Sequence, residues 1–281
     1  MTLSPNFFIV GTPKSGTTSL FHYLQEHPEV FIPSLKEPHF FSSPEVKNTY
    51  YKTKIVDNKE EYLKLYESDK EYKVVGDLSS SYLFNKHTAS RISDFNPKSK
   101  IIIVLRNPVE RAVSHYLMDV SLGYINVSLK EVLTNKEKYK KFYQEYVEIG
   151  FYDKQIEEYK SNFPDSQLLI ILSESLQKDT DNTLQNIFRY LNISTEFSLS
   201  SKVEHNKYRE ARFPFLKKIL NSDIIKSLFP NSIKEKLKPI IYNQKAEKPK
   251  LEAEKEMLKK IYKNSIINTE NMISKDLSSW K

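Results

Sequence analysis

The feature that most constrains the fold of this 281-residue chain is the run Ile-Ile-Ile-Val-Leu at residues 101–105. A strand with one face in water alternates apolar and polar residues, and this run has no polar residue. An unbroken β-branched run suits a strand that is buried on both faces, as in a parallel sheet covered by helices on each side. The run therefore predicts a central strand of an α/β fold.

Other segments show the same alternation of strand and helix patterns. Short apolar strands are predicted at residues 7–10, 74–75 and 168–172, and the last is also expected to be buried. Helices are predicted from apolar residues spaced three and four apart, within 17–27, 108–120, 183–191 and 258–265. Strands that alternate with helices favour an α/β fold with a mostly parallel central sheet flanked by helices. We expect one domain over residues 1–281, since no linker composition interrupts the chain.

The composition excludes several classes of protein. The chain has no Cys, which excludes disulfides, thiolate chemistry and the usual structural zinc sites. No apolar run approaches the roughly 20 residues that span a bilayer, so we expect no membrane span. The first residues lack the basic and then apolar pattern of a signal peptide, which predicts a cytoplasmic protein.

The net charge of +7 is concentrated in residues 202–250, which hold 13 Lys and Arg against 5 Asp and Glu. Such a basic segment indicates an anionic partner or a solvated lysine-rich surface. No nucleic-acid recognition motif accompanies it, and apolar residues at helical spacing interleave with the lysines. We therefore expect a glycan or a phosphorylated cofactor as the partner, and no nucleic acid.

A loop bounded by glycines joins the first predicted strand to the first predicted helix and reads GTPKSGTTS at residues 11–19. Backbone amides of such a loop, a helix start and the charge of Lys14 together suit a phosphate group. The loop makes the predicted fold P-loop-like, but it differs from the Walker A pattern, in which the lysine follows the second glycine. Here Lys14 precedes Gly16. A standard ATPase or GTPase is disfavoured, and an ordinary strand–helix turn with an incidental lysine is the simpler alternative.

This loop resembles the 5′-phosphosulfate loop of sulfotransferases that use 3′-phosphoadenosine-5′-phosphosulfate (PAPS) and release 3′-phosphoadenosine-5′-phosphate (PAP). The second signature of that family is a strand followed by Arg and, about eight residues later, Ser. In this chain the sequence IIIVLRNPVERAVSHY supplies Arg106 and Ser114. The resemblance implies that these two residues hold the 3′-phosphate. A guanidinium beside a hydroxyl is also a good phosphate clamp on chemical grounds.

The sequence KEPHFF at 36–41 is similar to an element of heparan sulfate sulfotransferases and their bacterial relatives. The segment 76–82 matches a central strand of the family, although Asp77 and Leu78 stand where relatives often have a substrate-contacting lysine. Residues 206–212 lie in the position of a basic loop. The resemblance implies donor-binding roles for Lys14, Ser15, Gly16, Thr17, Thr18, Ser19, Arg106, Ser114, Lys207, Tyr208 and Arg209.

The reaction implied by the resemblance is in-line transfer of a sulfuryl group to a hydroxyl or amine, without a required metal. Lys14 would stabilise the leaving phosphate. Glu37 is the candidate general base, with a pKa that we expect to be raised by its apolar neighbours. His39 is a competing base or an orienting partner. Asp77 is a candidate for positioning acceptor hydroxyls or Lys14.

A carbohydrate is the expected acceptor, with other small hydroxyl-bearing molecules as alternatives, and the oligomeric state stays open. Two other functions remain possible at this point. A nucleotide kinase-like P-loop enzyme would need ATP with Mg²⁺, and a catalytically inactive protein would bind nucleotide or glycan without turnover.

Overall fold

The computed structural model describes residues 1–51, 53–197, 199, 210–211, 242–243, 249 and 251–281. The strands of the described residues are β1 (Phe7–Gly11), β2 (Val30–Phe31), β3 (Val74–Leu78), β4 (Lys100–Leu105), β5 (Leu168–Leu172), β6 (Glu210–Ala211) and β7 (Tyr242–Asn243). The α-helices are α1 (Thr17–Gln25), α2 (Ser43–Val46), α3 (Lys59–Lys64), α4 (Thr88–Phe95), α5 (Pro108–Leu122), α6 (Leu129–Thr134), α7 (Lys140–Tyr146), α8 (Tyr152–Asn162), α9 (Ser173–Lys178), α10 (Thr180–Leu191) and α11 (Glu252–Ile273). Short 3₁₀ turns occur at Phe40–Ser42, Glu148–Gly150, Asp165–Gln167 and Ser278–Trp280.

The central sheet has five strands in the order β2-β3-β1-β4-β5, and each neighbouring pair is parallel. Helices flank this sheet, which confirms the predicted α/β fold with a P-loop-like, mostly parallel sheet. Strands β6 and β7 form a separate antiparallel pair.

Both faces of the sheet are buried, as the run at 101–105 predicts. Ile101, Ile103 and Leu105 belong to one apolar cluster, which also contains residues of α5, α8 and α11. Ile102 and Val104 belong to a second cluster on the opposite face, with residues of α1 and α10. All five residues of the run have no accessible surface. Side chains of a strand alternate between faces, so an apolar residue at every position requires a cover on each side.

The strand predicted at 74–75 is longer than its apolar residues indicate. Strand β3 continues through Gly76 and Asp77 to Leu78. A Cβ atom at Gly76 would lie 2.3 Å from Cζ of Phe7 on the neighbouring strand β1. Gly76 therefore makes room for an aromatic ring inside the sheet and does not end the strand.

Strand β5 has the predicted bounds, but the prediction that it is fully buried is wrong. It lies at one end of the strand order and pairs with β4. Four of its five residues are only partly buried, and Ile171 alone is buried. An edge position explains why a run as apolar as that of β4 is less buried.

The predicted helices are present, and a side-chain cap marks the start of α5 and of α10. Helix α5 begins at Pro108, and the Asn107 side chain accepts hydrogen bonds from the amides of Val109 and Glu110 at 3.0 and 3.4 Å. This is a standard way to satisfy amides at a helix start. Within the described residues, no helix combines the length and apolar character needed to cross a bilayer.

Three strand ends meet at one edge of the sheet. Strand β1 lies between β3 and β4, and all three run in the same direction. The loop after β1, the segment after Leu78 and the residues after Leu105 therefore start from adjacent strands. Ligands of open parallel sheets bind beyond these carboxyl ends.

Candidate active site

The loop between β1 and α1 is shaped by two residues in the left-handed region. Lys14 has φ +71° and Gly16 has φ +89°. The Ser15 hydroxyl is buried and shares a short hydrogen bond with the Thr12 hydroxyl, so this side chain braces the loop. Gly16 is the N-cap residue of α1 and provides no side-chain cap. The first amides of α1 are therefore available to an anion, while Thr18 and Ser19 lie half-buried at the same helix start.

The Lys14 ammonium is held in a cationic and partly buried environment. Its Nζ atom lies 3.2 Å from the sulfur of Met118 on α5. Burial and, next, the charge of Arg106 lower the pKa of Lys14 to about 8, and Lys36 and Arg111 act in the same direction. Several positive charges at one strand edge create a site for a polyanion. The negative charge of Asp119 opposes this lowering of the pKa.

Arg106 joins the end of β4 to the loop at residues 11–19, which we call the phosphate loop after its predicted ligand. Its Nη1 atom donates a hydrogen bond of 2.8 Å to the Lys14 carbonyl oxygen. The Tyr152 hydroxyl of α8 donates a hydrogen bond of 2.9 Å to the Arg106 carbonyl oxygen, which fixes the backbone of this residue. Ser114 lies half-buried on the second turn of α5, the helix that starts directly after Arg106. The structure therefore brings Arg106 to the phosphate loop and places Ser114 on the adjoining helix.

The segment 36–42 packs against the end of β3. The Glu37 amide donates a hydrogen bond of 3.0 Å to the Leu78 carbonyl oxygen. The Glu37 carboxylate is bound by the Lys36 ammonium, and its Oε2 atom accepts a hydrogen bond of 2.9 Å from the Ser80 hydroxyl. About a quarter of the side chain is exposed, at 23%. Glu37 is thus held near the cationic loop and is still accessible.

The prediction that Glu37 has a raised pKa is wrong. Burial is the largest single effect and acts to raise it, but Lys36, His39 and Ser80 together outweigh burial, so the net pKa lies below the usual value. The apolar neighbours predict only the effect of burial, whereas these polar and charged groups set the net direction. Glu37 is consequently ionised at neutral pH, the state that a general base requires.

His39 lies close to Glu37. Its Nε2 atom lies 3.8 Å from Oε2 of Glu37, and its Nδ1 atom lies 2.7 Å from the Ser81 hydroxyl. The Ser81 hydroxyl also lies 2.7 Å from that of Ser42. Burial lowers the pKa of His39, and the nearby Glu37 only partly offsets this effect. The imidazole is therefore neutral at pH 7. Its Nδ1 atom contacts the Ser81 hydroxyl, which in turn contacts the Ser42 hydroxyl.

The side chain of Asp77 is not exposed at the edge of the sheet, as its predicted role requires. It is almost fully buried and accepts hydrogen bonds from the Tyr62, Tyr82 and Ser79 hydroxyls at 2.7, 2.8 and 3.1 Å. Burial raises its pKa to about 6, although these hydroxyls act in the opposite direction. Because the side chain is buried among protein groups, the prediction that Asp77 positions acceptor hydroxyls or Lys14 is wrong. Instead, the Ser79 hydroxyl that it binds accepts a 3.2 Å hydrogen bond from the His39 amide.

Three of the residues that are predicted to bind the donor nucleotide are not described by the structure. Lys207, Tyr208 and Arg209 lie outside the described residues, as does most of the basic segment 202–250. In the parts of the chain that the structure does describe, no group of three or more His, Cys, Asp or Glu side chains is arranged to hold a metal ion.

The sequence did not predict a role for Asp119, a second polar residue near Lys14. Asp119 on α5 is completely buried, and its carboxylate accepts hydrogen bonds from the hydroxyls of Tyr50, Tyr51 and Tyr146. No motif contains these residues, and Asp119 occupies a position on α5 that interrupts the apolar stripe. That interruption is the one signal in the sequence that could have indicated a buried polar role.

The chain is similar to known sulfotransferases. The family model described as "Sulfotransferase domain" matches residues 4–265. The chain is 28% identical over 225 residues to heparan sulfate glucosamine 3-O-sulfotransferase 3A1 of Mus musculus, covering 76% of this chain and 51% of that protein. It is 40% identical over 115 residues to the membrane-associated sulfotransferase kil1 of Dictyostelium discoideum, covering 40% of this chain and 22% of that protein.

A crystal structure of a sulfotransferase from Alicyclobacillus acidocaldarius has the same fold. Its TM-score is 0.74 at 28% sequence identity, and the match covers 99% of each chain. The chain spans about half or less of the length of these two curated relatives. A glycine-bounded loop and an arginine follow neighbouring strands of a parallel sheet, as in a P-loop-like fold. The chain belongs to the sulfotransferase family, which confirms the resemblance seen in its sequence.

Proposed function

We propose that this chain transfers a sulfuryl group from PAPS to a hydroxyl or amine of a carbohydrate acceptor. The observation that carries the proposal is the bond between Arg106 and the Lys14 carbonyl oxygen, 2.8 Å long, beside the uncapped start of α1. This bond joins the two nucleotide signatures of the sequence into one cationic site. Membership in the sulfotransferase family supports a sulfated donor for that site.

The donor site has a group for each of the two phosphates that distinguish the expected nucleotide. Amides of the α1 start and the Lys14 ammonium suit the 5′-phosphosulfate, because both present positive charge to an anion. Arg106 and the Ser114 hydroxyl suit the 3′-phosphate. A guanidinium carries several N–H donors, so Arg106 can hold the Lys14 carbonyl oxygen and a phosphate together.

In the transfer, the sulfur forms an S–O bond to an acceptor hydroxyl, or an S–N bond to an amine, and the S–O bond to the 5′-phosphate breaks. Glu37, ionised and partly exposed, accepts the acceptor proton. Lys14 stabilises the negative charge that develops on the leaving phosphate. His39 orients the Glu37 carboxylate from behind, because its own Nδ1 atom is held by Ser81 at 2.7 Å.

A carbohydrate acceptor is supported by the relatives at 28% identity, whose name gives heparan sulfate glucosamine as their substrate. The net charge of +7 also suits an acidic glycan. Because the chain covers only part of those relatives, the acceptor has to be tested directly.

The test is to incubate the chain with PAPS and a panel of heparan sulfate oligosaccharides, neutral sugars and simple alcohols. PAP is measured by chromatography, and the added sulfuryl group on the acceptor is measured by mass spectrometry. We expect equal amounts of PAP and sulfated sugar, and loss of both in Glu37→Gln. PAP binding without transfer to any acceptor would favour an inactive binding protein, and phosphoryl transfer from Mg-ATP would favour a kinase-like enzyme.

A further inference from the structure

A buried acidic residue lies on α5, the helix that contacts Lys14. Oδ2 of Asp119 accepts hydrogen bonds from the Tyr50 and Tyr146 hydroxyls at 2.5 and 2.7 Å, and the Tyr51 hydroxyl lies 2.8 Å from both Oδ atoms. Asp119 has no accessible surface. We call Asp119 and these three tyrosines the Asp119 cluster. Three phenol donors on one carboxylate are a strong arrangement for holding a buried negative charge.

The cluster draws three separate parts of the chain to one point. Tyr50 and Tyr51 lie between α2 and α3, Asp119 lies on α5, and Tyr146 ends α7. None of them belongs to the phosphate loop or to the segment 36–42. The carboxylate forms no direct bond to Lys14, but the preceding residue, Met118, contacts the Lys14 Nζ atom at 3.2 Å.

The charges around Lys14 explain what such a carboxylate can do. Burial and three cations, Arg106, Arg111 and Lys36, all act against protonation of Lys14, whereas Asp119 acts in favour of it. Met118 is a neutral contact and offers no compensation. An ammonium placed to stabilise a leaving phosphate is useful only while it is protonated. Some negative charge is therefore needed near it before the donor binds.

We propose that Asp119 is a positioning residue for Lys14: its carboxylate, held by the three tyrosine hydroxyls, is the buried counter-charge that keeps the Lys14 ammonium protonated. The inference rests on the proposed function, in which Lys14 stabilises the leaving phosphate. It adds that the alkaline limit of the reaction is set by a residue outside both nucleotide signatures.

Other titratable groups face the two partners. Around Lys14 they are Arg106 at the end of β4, Lys36 in the segment before Glu37, and Arg111, His115 and Asp119 on α5. Around Asp119 they are Tyr50, Tyr51, Tyr146, Lys14 and Glu145.

These other groups do not replace the charge of Asp119. Burial, Arg111 and Lys14 lower the pKa of His115 well below its usual value, so it is neutral. Burial raises the pKa of Glu145 to about 7, and the charge of Asp119 also raises it. Burial raises the pKa of Asp119 above its usual value, and the tyrosine hydroxyls and Lys14 act in the opposite direction. The tyrosine hydroxyls thus favour the ionised form of Asp119.

The test measures protonation of Lys14 without relying on turnover. The ligand-free protein is labelled with trace acetic anhydride at a series of pH values, and acetylation of the Lys14 peptide is followed by mass spectrometry. Only the neutral amine reacts, so the labelling midpoint reports protonation. In Asp119→Asn the loss of negative charge should move the midpoint to lower pH by about half a pH unit or more. Asp119→Ser, a second neutral variant, should do the same if Asp119→Asn does not fold.

Matched variants separate charge from packing. Tyr51→Phe removes one of the three hydroxyl donors and leaves the other two, and Asp119→Glu restores a charge, so both should shift the midpoint less than Asp119→Asn does. Asp77→Asn removes another buried carboxylate held by tyrosine hydroxyls and should also leave it unchanged. An unchanged midpoint in both neutral variants, or an equal shift in Tyr51→Phe, would overturn the proposal.

The two proposals can fail separately. The pH dependence of kcat/KM for PAPS reports groups of the free enzyme. Its decline on the alkaline side should therefore begin at lower pH in Asp119→Asn than in the wild type. If the wild-type protein transfers no sulfuryl group, the proposed function fails while the labelling result still stands. If transfer occurs but Asp119→Asn leaves both the labelling midpoint and the alkaline side unchanged, only the role of Asp119 fails.

Discussion

Replacing Arg106 by Ala should remove the preference of the protein for a nucleotide with a 3′-phosphate. In the proposed donor site, Arg106 holds the 3′-phosphate, whereas Lys14 and the start of α1 hold the 5′ group. A hydrogen bond between charged groups contributes about 1.5–3 kcal/mol. Its loss corresponds to a Kd for PAP that is weaker by about 10- to 150-fold.

Arg106 also supports the loop, since Nη1 donates to the Lys14 carbonyl oxygen at 2.8 Å. Loss of this bond should weaken every nucleotide, because it disturbs the 5′ site that they share. The ratio of Kd for PAP to Kd for 5′-AMP removes this common effect, since the two ligands differ only in the 3′-phosphate. The ratio, which is well below one while the protein prefers PAP, should rise to near one in Arg106→Ala.

Isothermal titration calorimetry gives both constants. Arg106→Lys is the matched control, since it keeps the charge and loses the planar fork, and it should retain part of the preference. If Arg106→Ala weakened PAP and 5′-AMP by the same factor, Arg106 would be a support of the loop only, and the assignment of the 3′-phosphate site would be refuted.

Three further predictions concern the base, the pH range and the packing of the sheet. Glu37→Gln should lower kcat by about 100- to 10,000-fold with little change in the Kd for PAP, measured by single-turnover kinetics and calorimetry; an equal loss of binding would contradict a role in proton transfer. The kcat/KM for PAPS should fall as pH rises through about 8, because Lys14 is active when protonated and its lowered pKa lies there; a flat profile to pH 10 would argue against this role. Gly76→Ala should destabilise the fold by about 1–3 kcal/mol in urea unfolding, because its Cβ atom would lie 2.3 Å from the Phe7 ring, and a neutral result would mean that the ring moves at no cost.

Most of the fold could be predicted because β1, β4 and β5 are apolar over nearly their whole length. The run at 101–105 requires a cover on both faces, and that requirement already favours a parallel sheet. Only the first two residues of β3 were predicted from the sequence, because Gly76 and Asp77 have low strand propensity. Tertiary contacts stabilise these two residues in the strand. Phe7 fills the space above Gly76, and three hydroxyls satisfy Asp77.

The candidate site was predictable where a local motif fixes the backbone and less so where charges from distant segments meet. The loop with Lys14 and the position of Arg106 follow from strand ends, and the structure joins them. The direction of the Glu37 pKa was predicted wrongly, because Lys36, His39 and Ser80 together outweigh the effect of burial. Asp119 could not be assigned at all, since its tyrosine partners come from two other parts of the chain that are far from it in the sequence.

The most direct test of the donor site is the melting temperature of the wild-type protein with PAP, 5′-AMP and Mg-ATP at equal concentrations. A ligand that binds only the folded state stabilises it by mass action, by about 2.7 kcal/mol at 100 times its Kd. We expect PAP to raise the melting temperature by several degrees and clearly more than 5′-AMP or Mg-ATP. A larger shift with Mg-ATP, or equal shifts with PAP and 5′-AMP, would contradict a site built for a 3′-phosphorylated sulfuryl donor.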